Sequence, residues 1–303
     1  MKILLLGKDG QVGWELQRAL ALLGELHACG RNDADFTDPE SLRRLVRTAA
    51  PDVIVNAAAY TAVDKAEGDA GTAHAVNATA PGVLAEEAAA RGAWLVHYST
   101  DYVFDGSKVG AWVETDTANP LSAYGRSKYE GEQRIRASGA PHLVLRTSWV
   151  FGARGGNFAR TMLRLAKERD FLDVVADQHG APTSAELVAD ATALALHRIA
   201  TSGPGPVARS WSGTYHLAAG GDTSWHAYAR HVLALARQHG AVLKAGPEAV
   251  RAIASSAFPT PAVRPANSRL DCSKFCTSFG LALPDWRHHV DRLIAALAAQ
   301  GNL

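Results

Sequence analysis

The N-terminal segment restricts the fold more than any other part of this 303-residue chain. Lys2-Ile3-Leu4-Leu5-Leu6 is an apolar run of strand length, and Gly7-Lys8-Asp9-Gly10-Gln11-Val12-Gly13 follows at once. Beyond it, Trp14-Glu15-Leu16-Gln17-Arg18-Ala19-Leu20 places its apolar residues at helical spacing. A strand that enters a helix through glycines is built for a phosphate. Glycine permits the tight turn, the close approach of backbone to a pyrophosphate and the close packing of the helix, whose N-terminus faces the negative charge. The spacing is Gly-x-x-Gly-x-x-Gly rather than Gly-x-Gly-x-x-Gly, so the setting carries the argument more than the pattern. Gly7, Gly10, Gln11, Val12 and Gly13 are the first candidate contacts to a dinucleotide. A strand-to-helix turn that holds no ligand is the competing reading.

Strands and helices then alternate through residue 150, which predicts an α/β fold, a Rossmann-type doubly wound parallel sheet. A second strand lies around Leu26–Cys29, and the loop after it reads Gly30-Arg31-Asn32-Asp33. An acidic residue there would bind the ribose hydroxyls of NAD, whereas an arginine would accept the 2′-phosphate of NADP. Arg31 lies nearer the strand end and favours NADP, with NAD remaining open; Asp35 and Phe36 of the same loop are further candidate cofactor contacts. Pro51–Asn56 reads as a buried strand that runs into Ala57, Ala58, Ala59 and Tyr60, where small side chains would let a cofactor lie against the backbone. Residues 72–91 predict a long Ala-rich helix and His142–Arg146 another strand.

Past residue 150 the alternation loosens. Helices are expected near 156–169, 184–200, 223–239 and 286–299, with a strand at 214–218, a Gly/Pro/Ser-rich stretch at 201–213 and a loop at 254–269. The expected division is a cofactor domain over 1–150 and a smaller, mainly substrate-binding α/β lobe over 151–303, with later segments free to return to the first sheet.

Chemistry is carried by Ser-Ala-Tyr-Gly-Arg-Ser-Lys, which sets Tyr124 and Lys128 four residues apart on one helix face. An ammonium beside a phenol favours the phenolate and lowers a pKa ordinarily near ~10, so the tyrosine can act as general acid or base near neutrality. Upstream, Trp94-Leu95-Val96 predicts a buried strand that delivers Ser99 and Thr100 to its carboxyl end, where doubly wound sheets bind ligands. Either hydroxyl could hold a substrate carbonyl; on the residues alone the two remain equivalent. The bland alternative is a strand that ends in two hydroxyls and a tyrosine that merely packs on its helix.

Composition fits a cytoplasmic enzyme. Net charge is +1 with 31 basic and 30 acidic residues, which argues against a nucleic-acid surface. A strand that starts at residue 2 leads us to expect no signal peptide, and no apolar run predicts a membrane span. Cys272 and Cys276 share a helix face, but two thiols make no metal cage, and with Cys29 they are expected to stay reduced.

Taken together, the glycine loop and the Tyr124/Lys128 pair resemble the extended short-chain dehydrogenase/reductases and, within them, the dTDP-4-dehydrorhamnose reductase family. The resemblance runs from residue 1 to about 285. It is carried by the stretches at 7–16, 56–67, 99–106, 146–152, 177–183 and 259–270, whose order and spacing together are specific. It implies reduction, with NADPH or NADH, of the C4 keto group of a dTDP-sugar to give dTDP-L-rhamnose, a cell-surface polysaccharide precursor. It also implies Thr100, Tyr124 and Lys128 as catalytic residues, the choice of Thr100 over Ser99 resting on the resemblance, with Tyr124 and Lys128 also at the cofactor, where Lys128 would hold the nicotinamide ribose.

On the substrate side, Trp149 is implied at the sugar, as are Val63 and Asp101. The Pro-rich loop from Ala257 to Arg269 carries Arg264 and Arg269, two guanidiniums suited to a nucleotide diphosphate, with Asn267 as a polar contact. Core packing for Trp149 and surface ion pairs for the arginines are the alternatives. Some relatives are described as homodimers that bind Mg²⁺ through acidic residues. Glu15 and Glu186 match two positions, but a third stands here as Arg287 or a neighbouring basic residue, so both metal and homodimer stay open and no metal ligand is assigned. A regulatory, non-catalytic subunit and a nucleotide-sugar epimerase or dehydratase are the alternative functions. The intact Thr100, Tyr124 and Lys128 set disfavours the first. Tyr102, at the position where a dehydratase needs a second acid after Asp101, disfavours dehydration.

Overall fold

The computed structural model describes residues 1–203 and 205–303. Its centre is a six-stranded, all-parallel sheet. Five strands come from the first half: β1 (Lys2–Leu6), β2 (Glu25–Cys29), β3 (Val53–Asn56), β4 (Trp94–Thr100) and β5 (His142–Thr147). The sixth, Gly213–His216, pairs with β5 and gives the order Gly213–His216, β5, β4, β3, β1, β2. Leu4, Leu5 and Leu6 are wholly buried, as continuous apolar strands must be when helices cover both faces of a parallel sheet. One layer packs Leu16, Leu20, Val188 and Leu196 against the sheet, and the opposite layer packs Leu42, Val46, Leu84 and Ile135. Strand order reverses between β1 and β3, so the crevice of a doubly wound sheet opens over their carboxyl ends.

Segments after residue 150 divide between two places. The helix Ala185–Thr201 lies along α1 (Gln11–Leu20) and belongs, with Gly213–His216, to the sheet's own core. A separate hydrophobic core gathers the helices Phe158–Glu168, Trp225–Gln238 and Trp286–Ala299 with the parallel pair Leu172–Val175 and Val250–Ile253.

The Ala-rich stretch is not one uniform helix. It runs as Ala70–His74, a π-helical turn at Ala75–Thr79, and Ala80–Arg91. Pro81 sits at the start of the last piece and has no N–H to continue the helical ladder, which accounts for the register break. The turn presents the buried Asn77, whose amide accepts from Tyr60 N at 2.9 Å and donates to Tyr60 O at 3.0 Å and Ser127 Oγ at 3.1 Å. That residue ties the loop after β3 to the helix Ala123–Ala137.

The same helix is fixed from below. Glu132, fully buried, takes a two-pronged contact from Arg146 of β5 at 2.9 and 2.7 Å, and the Ser99 hydroxyl of β4 donates to it at 2.6 Å. Arg146 beside it holds its carboxyl below the usual range against the upward push of burial. Breaking such a pair strands a buried guanidinium, so Glu132→Gln is expected to cost about 3–5 kcal/mol in chemical denaturation. The parent's advantage should be present above about pH 4.5 and drain away as the pH falls through the lowered folded value.

Candidate active site

The turn after β1 is sterically committed. Gly7 has φ +86°, and a Cβ there would stand 2.6 Å from the Ala58 nitrogen. At Gly13 a Cβ would collide with the Gly7 carbonyl, so α1 lies hard against the turn. Backbone of the loop after β3 thus packs directly on the glycine loop, and Gly7, Ala57 and Ala58 come together as the sequence suggests. Gly10 caps α1, and no side chain caps that N-terminus. The helices that begin at Pro39, Ala123, Phe158, Ala185, Trp225 and Trp286 all take a side-chain cap. Free first-turn amides beside glycines fit a dinucleotide pyrophosphate. Gln11 reaches Asn157 at 3.4 Å across to the second core. At the far end of the turn, Lys8 pairs with Asp33 at 3.1 Å, and Asp33 also accepts from Gly30 N at 2.7 Å. Asp33 is therefore engaged, while Arg31 is exposed; Asp35 binds its own loop through Thr37, and Phe36 packs on the sheet core.

Thr100, Tyr124 and their neighbours meet over the end of β4. Tyr124 packs with Tyr60, Val63 and Tyr102, its ring edge-on to Tyr102 at 5.6 Å between centroids. The helix that carries it starts at the Ser122 cap and approaches so closely that a Cβ on Gly125 would strike the Tyr102 carbonyl. Strand alternation separates the two hydroxyls left equivalent by sequence. Ser99 points down to Glu132, whereas Thr100 lies beside the Tyr124 phenol. Thr100 also donates to Asp101 Oδ1 at 3.0 Å and accepts from Tyr102 N at 3.2 Å.

The expected activation of the phenol is not what this geometry gives. Burial pushes Tyr124 well above its ordinary value, with only the Thr100 hydroxyl acting in the other direction. Lys128 is turned instead toward β4, where its Nζ donates to Tyr98 O at 2.6 Å and lies 3.1 Å from His97 Nε2. Desolvation lowers it to about 7, so in this form the lysine is poised near neutrality and the tyrosine is a proton holder. The physical reason is that spacing on a helix brings two residues to one face, but the buried carbonyl and imidazole opposite that face take the lysine's contacts. Asp101 is also buried, and its carboxyl is pushed up to about 6.

The substrate-side residues fall into two groups. Arg264 pairs with Asp64 at 2.7 Å, and Asp64 also accepts from Ala262 N at 3.3 Å, which fastens the Pro-rich loop beside Val63. Asn267 is committed within the fold: its amide donates to the Lys108 and Gly110 carbonyls, both at 2.7 Å, and accepts from Arg269 Nε at 2.8 Å. It positions Arg269 rather than offering a free polar group. Trp149, past the end of β5, holds φ +48°, a conformation that costs a bulky residue on the order of 1–3 kcal/mol. Its indole stacks on Trp225 at 3.6 Å and faces Gly180, where a Cβ would stand 2.8 Å from the ring. Asn77, His97, Asp64 and Trp225 escaped the sequence reading. The one available signal was a polar residue set inside an apolar run, as His97 is after Trp94-Leu95-Val96.

The acidic residues raised as Mg²⁺ ligands do not fit a divalent cation. Glu186 pairs with Arg292 at 3.6 Å and Glu15 with Arg18 at 3.5 Å, so guanidiniums already stand beside both carboxylates. Arg287 instead engages Asp285 at 3.1 Å.

The family described as RmlD substrate binding domain matches residues 1–299. A dTDP-4-dehydrorhamnose reductase of Shigella flexneri is 50% identical over 301 residues, 98% of each chain. Among solved structures, a dTDP-4-dehydrorhamnose reductase from Clostridium acetobutylicum superposes with a TM-score of 0.87 at 34% identity, covering 98% of this chain and 99% of that one. Its counterpart from Bacillus anthracis, in complex with NADP, gives a TM-score of 0.85 at 30% identity and covers 98% and 100%.

Two outcomes are expected from this geometry. Dialysis against EDTA should leave turnover and sedimentation unchanged; a chelator-dependent loss of either would contradict the Glu186–Arg292 pairing. Asp101 favours folding below about pH 4, and that contribution is lost as the pH rises through about 6. Asp101→Asn should therefore unfold at higher denaturant than the parent at neutral pH, by up to about 3 kcal/mol, with the gain vanishing near about pH 4.

Proposed function

The chain belongs to the dTDP-4-dehydrorhamnose reductase family, and from that premise we propose that it reduces the C4 carbonyl of dTDP-4-dehydro-L-rhamnose to give dTDP-L-rhamnose. The observation that carries the reading is the convergence of Thr100 and Tyr124 beside a loop whose glycines and uncapped α1 fit a dinucleotide. NADPH is the favoured donor and NADH the alternative; when bound, the nicotinamide supplies the hydride.

The protein's own residues do the rest. Gly7, Gly10 and the first-turn amides of Gln11, Val12 and Gly13 hold the pyrophosphate, with Ala57–Ala59 and Tyr60 as the opposite wall. Arg31, with Asp35 and Phe36 nearby, takes the adenosine end. Thr100 turns its hydroxyl proton from Asp101 Oδ1 to the substrate carbonyl oxygen and fixes its position. Tyr124 delivers its phenolic proton to that same oxygen as negative charge develops there. A phenol raised by burial is a weak acid at rest, so its proton leaves only when a strong base, the nascent alkoxide, forms beside it. Lys128, lowered to about 7, can restore a positive charge near the phenolate at neutral pH. Arg264 and Arg269 bind the diphosphate, Arg264 already held in place by Asp64. Trp149 lays its indole against the apolar face of the sugar, with Val63 and Asp101 completing that pocket.

The division into a cofactor domain within 1–150 and a mainly substrate-binding lobe after it belongs to the same proposal. Gly213–His216 and Ala185–Thr201 then act as returns to the cofactor domain. Work on a soluble dTDP-sugar fits a cytoplasmic location. Among the described residues no helix is long and apolar enough to cross a membrane. The metal-bridged homodimer has little to support it, given the Glu186–Arg292 pair.

The direct test mixes the purified protein with dTDP-4-dehydro-L-rhamnose and follows reduced cofactor by absorbance. Consumption of NADPH, or of NADH, is expected; none with either would favour a regulatory subunit. Tyr124→Phe should lower kcat by about 10²–10⁴-fold with little change in NADPH affinity measured by fluorescence. Full activity in that variant would remove Tyr124 from the proton path.

A further inference from the structure

A short ribbon from the second half of the chain builds a slot around the Trp149 indole. His179–Gly180 pairs antiparallel with Thr223–Ser224, and Gly180 lies opposite Thr223. Trp225 follows Ser224 at once as the first residue of the helix Trp225–Gln238, whose cap is the Ser224 hydroxyl, accepting from Ala227 N at 3.1 Å. The ribbon therefore supplies both walls of the slot. Trp225 stacks on Trp149 with 3.6 Å between centroids and 13° between planes, and Phe158 packs on Trp225 at 4.6 Å. Gly180 stands on the opposite face of Trp149. The three atoms nearest a Cβ there, at 2.8 to 3.0 Å, all belong to the Trp149 ring, whereas a Cβ on the Trp225 side would meet that second ring first. Trp149 is still only partly buried, so some of its ring remains open. Its φ of +48° is a backbone that a bulky residue leaves when nothing holds it, and the slot holds it. The same ribbon is bonded to the loop that bears the arginines. His179 N donates to Ala266 O at 2.9 Å, and Ser268 N donates to His179 O at 2.7 Å. Those two bonds flank Asn267, which accepts from Arg269 Nε.

We propose that Trp225 and Gly180 are positioning residues for the sugar: they set the Trp149 indole, and the ribbon that carries them fixes that indole relative to the arginine loop. Neither residue needs to touch the ligand. Trp225 acts through its stacked face. Gly180 acts by having no side chain; its φ is not positive, so the ring, and not the backbone, demands a glycine there. In a nucleotide sugar the diphosphate and the sugar ring are covalently joined, so a site that reads both must keep its two contacts at a set spacing. With the diphosphate anchored on the arginines, the angle of the indole decides which part of the sugar lies over Thr100 and Tyr124. Loss of the slot therefore harms recognition of the sugar and spares that of the diphosphate.

The inference rests on Trp149 lying at the sugar in the proposed reduction, but its first test does not depend on activity. Two indoles stacked at 3.6 Å couple their electronic transitions, so far-ultraviolet circular dichroism of the ligand-free protein should contain an exciton couplet. Trp225→Phe and Trp149→Phe should each remove that couplet and give matching difference spectra. Mismatched difference spectra, or no couplet lost, would overturn the slot even if the protein reduces its substrate normally. Calorimetric titration then compares dTDP-L-rhamnose with dTDP, which keeps the diphosphate and lacks the sugar. Trp225→Leu and Gly180→Ala should each weaken dTDP-L-rhamnose about tenfold, the worth of one aromatic contact, and leave dTDP within about twofold. Trp225→Phe, whose ring can still stack, should recover most of the affinity that Trp225→Leu loses. Equal weakening of both ligands, or full affinity in Gly180→Ala, would reduce the two to packing residues. Failure of the parent protein to consume cofactor would end the reduction reading alone, since the spectra and the two affinities decide the slot without it.

Discussion

Everything at the candidate site depends on where one helix, Ala123–Ala137, sits over the end of β4, and Glu132 decides that. Its carboxylate is wholly buried and binds Ser99 of β4 and Arg146 of β5 at once. A buried charge tolerates few arrangements, because each unsatisfied oxygen or guanidinium N–H carries a desolvation cost. The helix is therefore pinned in register as well as packed. Two turns of α-helix N-terminal to this anchor lies Tyr124, and one turn lies Lys128. The Ser122 cap, the Gly125 contact with Tyr102 and the Asn77 bonds to Ser127 fix the same helix from above.

Electrostatics at the site follow from that burial. Tyr124 and Lys128 are shifted in opposite senses, the phenol up and the ammonium down, and in both the leading cause is the loss of water. Each shift favours the neutral form. At neutral pH the pair therefore rests as a phenol beside a lysine divided between amine and ammonium. Asp101, similarly buried, adds a third group whose charged form is disfavoured. A dry pocket around a carbonyl makes every developing charge on that carbonyl count for more, since few water dipoles screen it.

The second hydrophobic core contributes geometry that no local rule requires. Trp149 accepts a left-handed backbone and is clamped between Trp225 and Gly180, whose contact with the ring leaves no room for a side chain. Trp225 begins a helix of the second core, whereas Trp149 lies just past a strand of the first sheet. Their stacking links the two cores at the place where the sugar is proposed to lie. Strain held by such a contact is common at sites where the orientation of one ring matters.

The sequence by itself determined the parts whose physics is local. Apolar runs bounded by glycine, alternating with helical periodicity, specify a parallel doubly wound sheet. The Gly7–Gly13 turn specifies its ligand class, because only glycine satisfies φ +86° and the contact with Ala58. Tyr124 and Lys128 were legible because their relation is one helical turn. Tertiary structure decided what depends on residues far apart in the chain. Ser99 and Thr100 are adjacent in sequence, yet only Glu132, 33 residues from Ser99, shows which hydroxyl is spent beneath the site. Lys128 reads from its spacing as a partner for the phenol, but the Tyr98 carbonyl and His97, 30 and 31 residues away, compete for its nitrogen and win. Asn267 reads as a free contact until the carbonyls of Lys108 and Gly110 close around it. In each case a polar side chain has several local options, and burial beside a distant partner selects one, because a buried donor or acceptor left unpaired carries a desolvation cost.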